Sequence, residues 1–303
     1  FTTLNDPPNT YPNPPYNTSN EPRGANNATE FEQQVLKLVA AIHGANPDVL
    51  GVVEIEKYEG GPFPAADTYL LDRLNDGLPE DEQYEIINDP VLGFGGDYIK
   101  NTIYYKPGRL TLVGNAVSYN IPDPADPTVD LFDRYPVAQT FRSKSDNQKF
   151  TVVVNHLKSK TCTGATGAEL DLGQGCWNAK RTRQATALLD FVNTLTAGAG
   201  DPDILLIGDY NAYAEEDPID VFKAAGMVDT LKTVPAASRY TYVFDGQAGY
   251  LDQAIGSASL ANYVKEVQLW HINADEPEVI DYDNNYNPRG YYAANAYRSS
   301  DHD

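Results

Sequence analysis

Several features are scarce in this chain, and each scarcity removes a class of protein. No run of about 18 apolar residues occurs, so nothing in the sequence reads as a membrane-spanning helix. No Pro/Gly/Ser linker divides the 303 residues into halves of different pattern, so one domain is the economical reading. A secretory leader is absent, which says nothing if the chain is a mature segment. Basic residues are few: 22 Lys plus Arg stand against 43 Asp plus Glu, a net charge of −21. That balance speaks against a partner held only by neutralising phosphates. Their distribution is uneven, however, because eight of the 22 cations lie between Arg142 and Arg183. Cysteine is scarcest of all. Cys162 and Cys176 stand alone, fourteen positions apart in a Gly-rich stretch. A disulfide there would close about fifteen residues and contribute about 3 kcal/mol, and would place the protein in an oxidising compartment. Two unrelated thiols are the other reading; the spacing is not that of a zinc site.

What is present is a set of polar groups at the ends of apolar runs. Ile204 to Ile207 lead into Gly208-Asp209-Tyr210-Asn211, which puts a carboxylate and an amide on the same side of an extended backbone. Val49 to Val53 deliver Glu54, and Phe150 to Val154 deliver Asn155-His156. Asp252 sits within the alternation Tyr250 to Ile255, and the chain closes on Arg298-Ser299-Ser300-Asp301-His302-Asp303. Bland readings stand beside these: strand-end Gly-Asp pairs form turns, Glu54 could face solvent, and His156 could be a buried structural histidine. Between them, helices are expected from Thr29-Glu30-Phe31-Glu32, a capping box, to Gly44, around Tyr69 to Leu74, and over Lys180 to Leu195. Strands are expected at 84–87, 102–105, 109–113, 137–141, 149–155 and 204–209, and around Trp270-His271. Residues 1–28 read as an irregular surface segment carrying sequons at Asn17 and Asn27. His43 reads as a partner for its own helix end.

In this order the motifs resemble the endonuclease/exonuclease/phosphatase superfamily of metal-dependent phosphoesterases. Leu50 to Glu56 looks like its metal-glutamate strand, Arg134-Tyr135-Pro136 like its Arg-x-Pro segment, Asn155-His156 like its first histidine motif, and Gly208 to Asn211 like its Gly-Asp-x-Asn motif; Asp252 and Ser300-Asp301-His302 complete the set. Within it, the segments Asn155 to Lys160, Cys162 to Cys176, Gly246 to Asp252 and Trp270 to Pro277 resemble bacterial secreted nucleases. The resemblance implies an α/β fold, a four-layer α/β/β/α sandwich like that of pancreatic deoxyribonuclease. It departs at both ends: no Asn-bearing first strand precedes Thr2, and no strand follows Asp303. The sequence therefore reads as a trimmed segment of a longer protein.

The implied chemistry assigns roles. Glu54 and Asp301 would hold Mg²⁺ or Mn²⁺, since hard cations prefer carboxylates. His302 would activate water, with Asp252 fixing its tautomer. Asp209 and Asn211 would orient nucleophile or phosphate, and His156 would serve the leaving oxygen. Arg134, Asn155 and Lys158 would contact the substrate. A structural Ca²⁺ on the acidic run Asp275, Glu276, Asp281 and Asp283 is a weaker expectation, since regular ligand spacing is missing. The expected function is a secreted, monomeric deoxyribonuclease of low sequence preference, RNA being a second substrate, with the 142–183 cations tracking the backbone. Because charges are screened over about 10 Å at 0.1 M salt and about 3 Å at 1 M, the acidic surface fits a saline habitat, against ordinary solubility as the alternative. A phosphomonoesterase, a lipid phosphodiesterase or a non-catalytic metal-binding module are the other readings; no exposed apolar hairpin is expected to serve a lipid substrate.

Overall fold

The computed structural model describes residues 24–25, 28–57, 65–283 and 290–303. Most of the irregular segment expected at 1–28, with both sequons, lies outside these residues. In chain order the elements are α1 (Ala28–Ala45), β1 (Val49–Glu56), α2 (Ala66–Asn75), β2 (Glu85–Ile86), β3 (Ile99–Tyr105), β4 (Leu110–Ser118), β5 (Pro122–Asp123), β6 (Asp126–Asp130), β7 (Val137–Ser143), β8 (Lys149–His156), α3 (Asn178–Ala199), β9 (Ile204–Asp209), α4 (Asp217–Ala224), β10 (Val228–Asp229), β11 (Tyr242–Phe244), β12 (Gln247–Gly249) and β13 (Asp252–Gly256).

Two sheets stack face to face, one ordered β1-β3-β2 and the other β10-β13-β9-β8-β7-β4. Val152 and Val154 point into the space between them, with Ile103, Val137 and Phe141. Val153 and Leu206 point the other way, into a core made with Ala185, Leu188 and Phe191 of α3 and Phe222 of α4. On the far side, Leu70 and Leu74 of α2 and Leu38 and Ile42 of α1 cover Ile55 and Tyr104. The result is the α/β/β/α sandwich. Strands β8 and β9 are buried on both faces, which is why they read as continuous apolar runs rather than alternating ones.

Local chemistry accounts for most element ends. In α3, Ala185, Leu188, Phe191 and Leu195 form one buried stripe, and Gly200 closes it with φ +62° and an amide bonded to the Thr196 carbonyl. Four expectations need correction. Helix α1 starts at Ala28, so Thr29 lies inside its first turn instead of capping it. His43 donates Nε2–H to the Leu74 carbonyl, 2.9 Å away at the end of α2, not to its own helix. The Trp270-His271 segment is not a strand; it is held by side chains described below. Helix α4 and the β11–β12 hairpin, unexpected from the sequence, are both formed, and the hairpin exposes Phe244. Among the described residues, no helix is long and apolar enough to cross a membrane.

Cys162 and Cys176 are joined in a disulfide across the loop before α3. Opening it with Cys162→Ser should cost about 3 kcal/mol of stability. The parent measured by chemical denaturation with and without reductant should show the same loss.

Candidate active site

Three neighbouring strands bring the first residues together. Strands β8 and β9 run parallel with Asn155 beside Gly208 and His156 beside Asp209. On the other side of β9, antiparallel β13 sets Asp252 beside Asp209. The strand ends therefore carry His156, Asp209 and Asp252 in one row. Gly208 permits this closeness: its φ is +126°, and a Cβ there would stand 2.0 Å from the Asn155 carbonyl oxygen. Only glycine fits at that point of the ladder.

Asp209 is almost fully buried. Its Oδ1 accepts the Asn211 backbone amide at 2.6 Å and its Oδ2 the Asn211 side-chain amide at 3.0 Å. Asn211 achieves this with φ +47° and also donates to the Leu157 carbonyl at 3.2 Å. Burial, and then the charge of Asp252, push the Asp209 carboxyl well above the usual carboxylate range; His302 and the Asn211 amide pull against that shift.

His302 comes from the chain's far end. Its Nδ1–H donates to Asp252 Oδ2 at 2.7 Å. Burial alone would drive its proton off, but the Asp252 bond and charge, with Asp209 and Asp301, outweigh burial and push it up to about 9. The Tyr242 ring packs 4.5 Å from the imidazole.

Glu54 completes the floor from the other sheet. Strand β1 shifts register between Val52 and Ile55, and Glu54, within that irregularity, has φ +58°. Such a bulge re-aims a side chain; here it brings Glu54 Oε1 to 3.7 Å from His156 Nε2, which is itself 3.4 Å from Asp209 Oδ2. Glu54, Asp209, Asp252, Asp301 and His302 line one cleft of about 610 Å³. Among the described residues, the one group of three ligating side chains close enough to share an ion is Asp209, Asp252 and His302, with ligand atoms within 4.8 Å of one another. Oxygen donors dominate the cleft, and Asp209 carries a burial cost that a cation would relieve; both fit a hard divalent ion. The tight group is not the Glu54–Asp301 pair expected from the motifs, although both of those face the same cleft. The acidic run 275–283 forms no second such group among the described residues.

Three expected substrate contacts are committed elsewhere. The Arg134 guanidinium donates to the Leu157 carbonyl at 2.7 Å and to Asp97 Oδ2 at 3.1 Å, so it holds the chain after His156 in place. Asn155 is fully buried, with its amide 3.2 Å from the Tyr210 hydroxyl. Lys158 pairs with Asp133 at 2.9 Å. Several of the 142–183 cations expected to track a polyanion are likewise engaged within the fold. Lys160 pairs with Glu216 at 2.6 Å, Arg183 with Asp123 at 2.7 Å, and Arg181 is fully buried with Nη1 2.7 Å from the Cys176 carbonyl. Much of the local excess of cations in sequence is thus met by carboxylates and backbone carbonyls of the fold itself.

Other residues shape the site from outside the catalytic motifs. Asn273 Oδ1 accepts the Ser299 amide at 2.8 Å, and its Nδ2 donates to the His302 carbonyl at 2.7 Å. Asp303 Oδ1 accepts the amides of Ile272, Asn273 and Ala274, while His271 Nδ1–H donates to its Oδ2 at 2.8 Å. His271 is thus a structural residue, and the Trp270–Asp275 stretch clamps the loop carrying His302. Asn273→Ala would leave buried amides unpaired and should cost about 1–3 kcal/mol. Asn273→Asp, which keeps the acceptor, should cost less when both are compared by chemical denaturation.

A family model described as Endonuclease/Exonuclease/phosphatase family matches residues 16–302. No curated protein matches by sequence. Among solved structures, the human nocturnin catalytic domain with bound sulfate is 21% identical, covers 75% of each chain and has a TM-score of 0.51. A mannosyl-6-phosphatase from Bacteroides thetaiotaomicron is 16% identical over 79% of this chain and 84% of its own, with a TM-score of 0.53. At these identities the structural likeness speaks for the fold alone.

Proposed function

We propose a function from one premise: the chain belongs to the endonuclease/exonuclease/phosphatase family, a family of phosphoester hydrolases. The reading is a divalent-metal-dependent phosphodiesterase that cuts DNA, and RNA as a second substrate, with little sequence preference. The observation that carries it is the His302–Asp252 pair at 2.7 Å, beside buried Asp209 in an open cleft.

In this reading Asp252 keeps a proton on Nδ1 of neutral His302, which leaves Nε2 as the basic atom that takes a proton from the attacking water. Asn211 holds Asp209 in a single orientation through two hydrogen bonds. His156, near Asp209 and Glu54, hands a proton to the departing oxygen. Glu54, Asp209 and Asp301 would hold Mg²⁺ or Mn²⁺. When bound, that ion supplies positive charge against the charge growing on the phosphate oxygens. Arg134 acts as a positioning residue behind His156. The disulfide supports secretion into an oxidising compartment, which comparing the culture medium with the cell fraction would check.

Hydrolysis of bis(p-nitrophenyl) phosphate beside p-nitrophenyl phosphate, with EDTA controls, tests the reading. The diester should be turned over and the monoester should not. Turnover of the monoester alone would replace the nuclease with a phosphomonoesterase.

A further inference from the structure

We propose that Tyr242 and Phe244 form a stacking platform for a nucleobase flanking the scissile phosphodiester, an inference that rests on the nuclease reading and names how that site holds its substrate. The platform begins at the proposed base. The Tyr242 ring lies 4.5 Å from the His302 imidazole, and the Phe244 ring lies parallel to that of Tyr242 within 13°, at 6.4 Å. The two residues are i and i+2 on β11, so they share a face and form a row that runs outward from the cleft. The β11–β12 turn is built from Asp245 at φ +50° and Gly246 at φ +75°, a tight Asp-Gly connection that keeps this row short and fixed. Phe244, at its outer end, is 65% exposed.

A single exposed phenylalanine is ordinary. What gives this one a task is the state of the charges around the site. Proteins that hold nucleic acid without reading sequence usually combine cations along the backbone with aromatic rings under the bases. Here the cations nearest the His156 loop are engaged: Lys158 with Asp133, Lys160 with Glu216, and Arg134 with Asp97 and the Leu157 carbonyl. The whole chain carries −21. Phosphate neutralisation is therefore weak, and stacking on an uncharged ring is the sequence-independent attraction that remains. Every base has a face to offer such a ring, so the platform suits single-stranded or frayed nucleic acid. A lipid surface is the poorer occupant, because one aromatic ring flanked by Asp245 and Gly246 on an acidic chain offers little apolar area and no attraction to anionic headgroups.

The test is fluorescence anisotropy of a short, end-labelled single-stranded oligonucleotide in EDTA, so that binding is read apart from turnover. Phe244→Ala should bind roughly tenfold more weakly than the parent, Phe244→Trp should restore binding, and the parent's affinity should not fall as salt is raised, because salt screens the acidic chain's repulsion of the oligonucleotide. In Mg²⁺, Phe244→Ala should lose more against the oligonucleotide than against bis(p-nitrophenyl) phosphate, the difference falling in KM. Equal binding by parent and Phe244→Ala, or no binding by the parent, overturns the platform. So does co-sedimentation of the parent, but not of Phe244→Ala, with phosphatidylcholine vesicles when oligonucleotide binding is the same for both. A parent that binds the oligonucleotide through Phe244 yet hydrolyses neither substrate would overturn the nuclease reading and leave the platform standing.

Discussion

His302→Ala is expected to lower phosphodiester turnover by roughly 10²–10⁴-fold, the range for a removed general base. Its signature in pH is as specific as its size. The base must be neutral to accept a proton, and its neighbours push His302 up to about 9. Activity of the parent should therefore rise with pH from neutrality towards about 9, a bound cation moving the limb to lower pH by opposing the carboxylates that raise it. Asp252→Asn removes the first of those carboxylates. It should shift the limb downward while the rate falls, because the wrong tautomer can then present Nδ1 instead of Nε2 as the base. The stability of the metal-free protein should carry the same pair with a definite sign. The folded value of about 9 lies above the ordinary 6.5, so the stabilisation from His302 is fully present below pH 6.5 and is lost as pH rises through 9. His302→Ala should flatten that part of the stability profile, read by urea denaturation at several pH values.

Gly208→Ala is expected to damage both fold and site. A Cβ would meet the Asn155 carbonyl oxygen at 2.0 Å, and φ is +126°. Backbone strain alone reaches about 3 kcal/mol at such positions, and overlap with a neighbouring strand adds to it. Relief requires β8 and β9 to move apart where His156 and Asp209 stand side by side, so turnover should fall with stability. Gly114→Ala separates strain from overlap: its φ is +71°, with nothing within 4 Å of the added Cβ. That control should cost about 1 kcal/mol and leave turnover near that of the parent. Equal losses for the two variants would mean that closeness of the strands is not what Gly208 provides.

The parts of this site that were legible in sequence are those written on one strand. Asp209 and His156 follow apolar runs that are buried on both faces, and a polar residue directly after such a run has few places to go but the strand end. Asp252 and His302 were legible as members of an ordered set of motifs, although their contact spans 50 positions. Charge was misleading because the partner of a cation is a tertiary fact. Lys160 and Glu216 are 56 residues apart, and nothing near Lys160 announces Glu216. The internal bonds of Arg134 were hidden for a related reason, since an Arg-x-Pro segment does not say whether a guanidinium faces a phosphate or, as here, a backbone carbonyl and Asp97. Asn273 and Asp303 lie in segments that stood out in sequence, but their roles did not show, because their work is done largely through backbone amides, which leave no mark on the pattern of side chains. Tyr242 lies in a hairpin of three-residue strands, too short for any periodicity to show. Helix α4 spans eight residues, about two turns, and is likewise too brief for an apolar stripe to stand out.

The central claim is that this cleft uses a divalent cation and the His302–Asp252 pair to hydrolyse a phosphodiester. Nicking of supercoiled plasmid by the parent and by His302→Ala, in Mg²⁺ and in EDTA, tests it most directly. The parent should nick in Mg²⁺ and not in EDTA, and His302→Ala should nick hardly at all although it folds like the parent. Undiminished nicking by His302→Ala, or nicking that persists in EDTA, would contradict it.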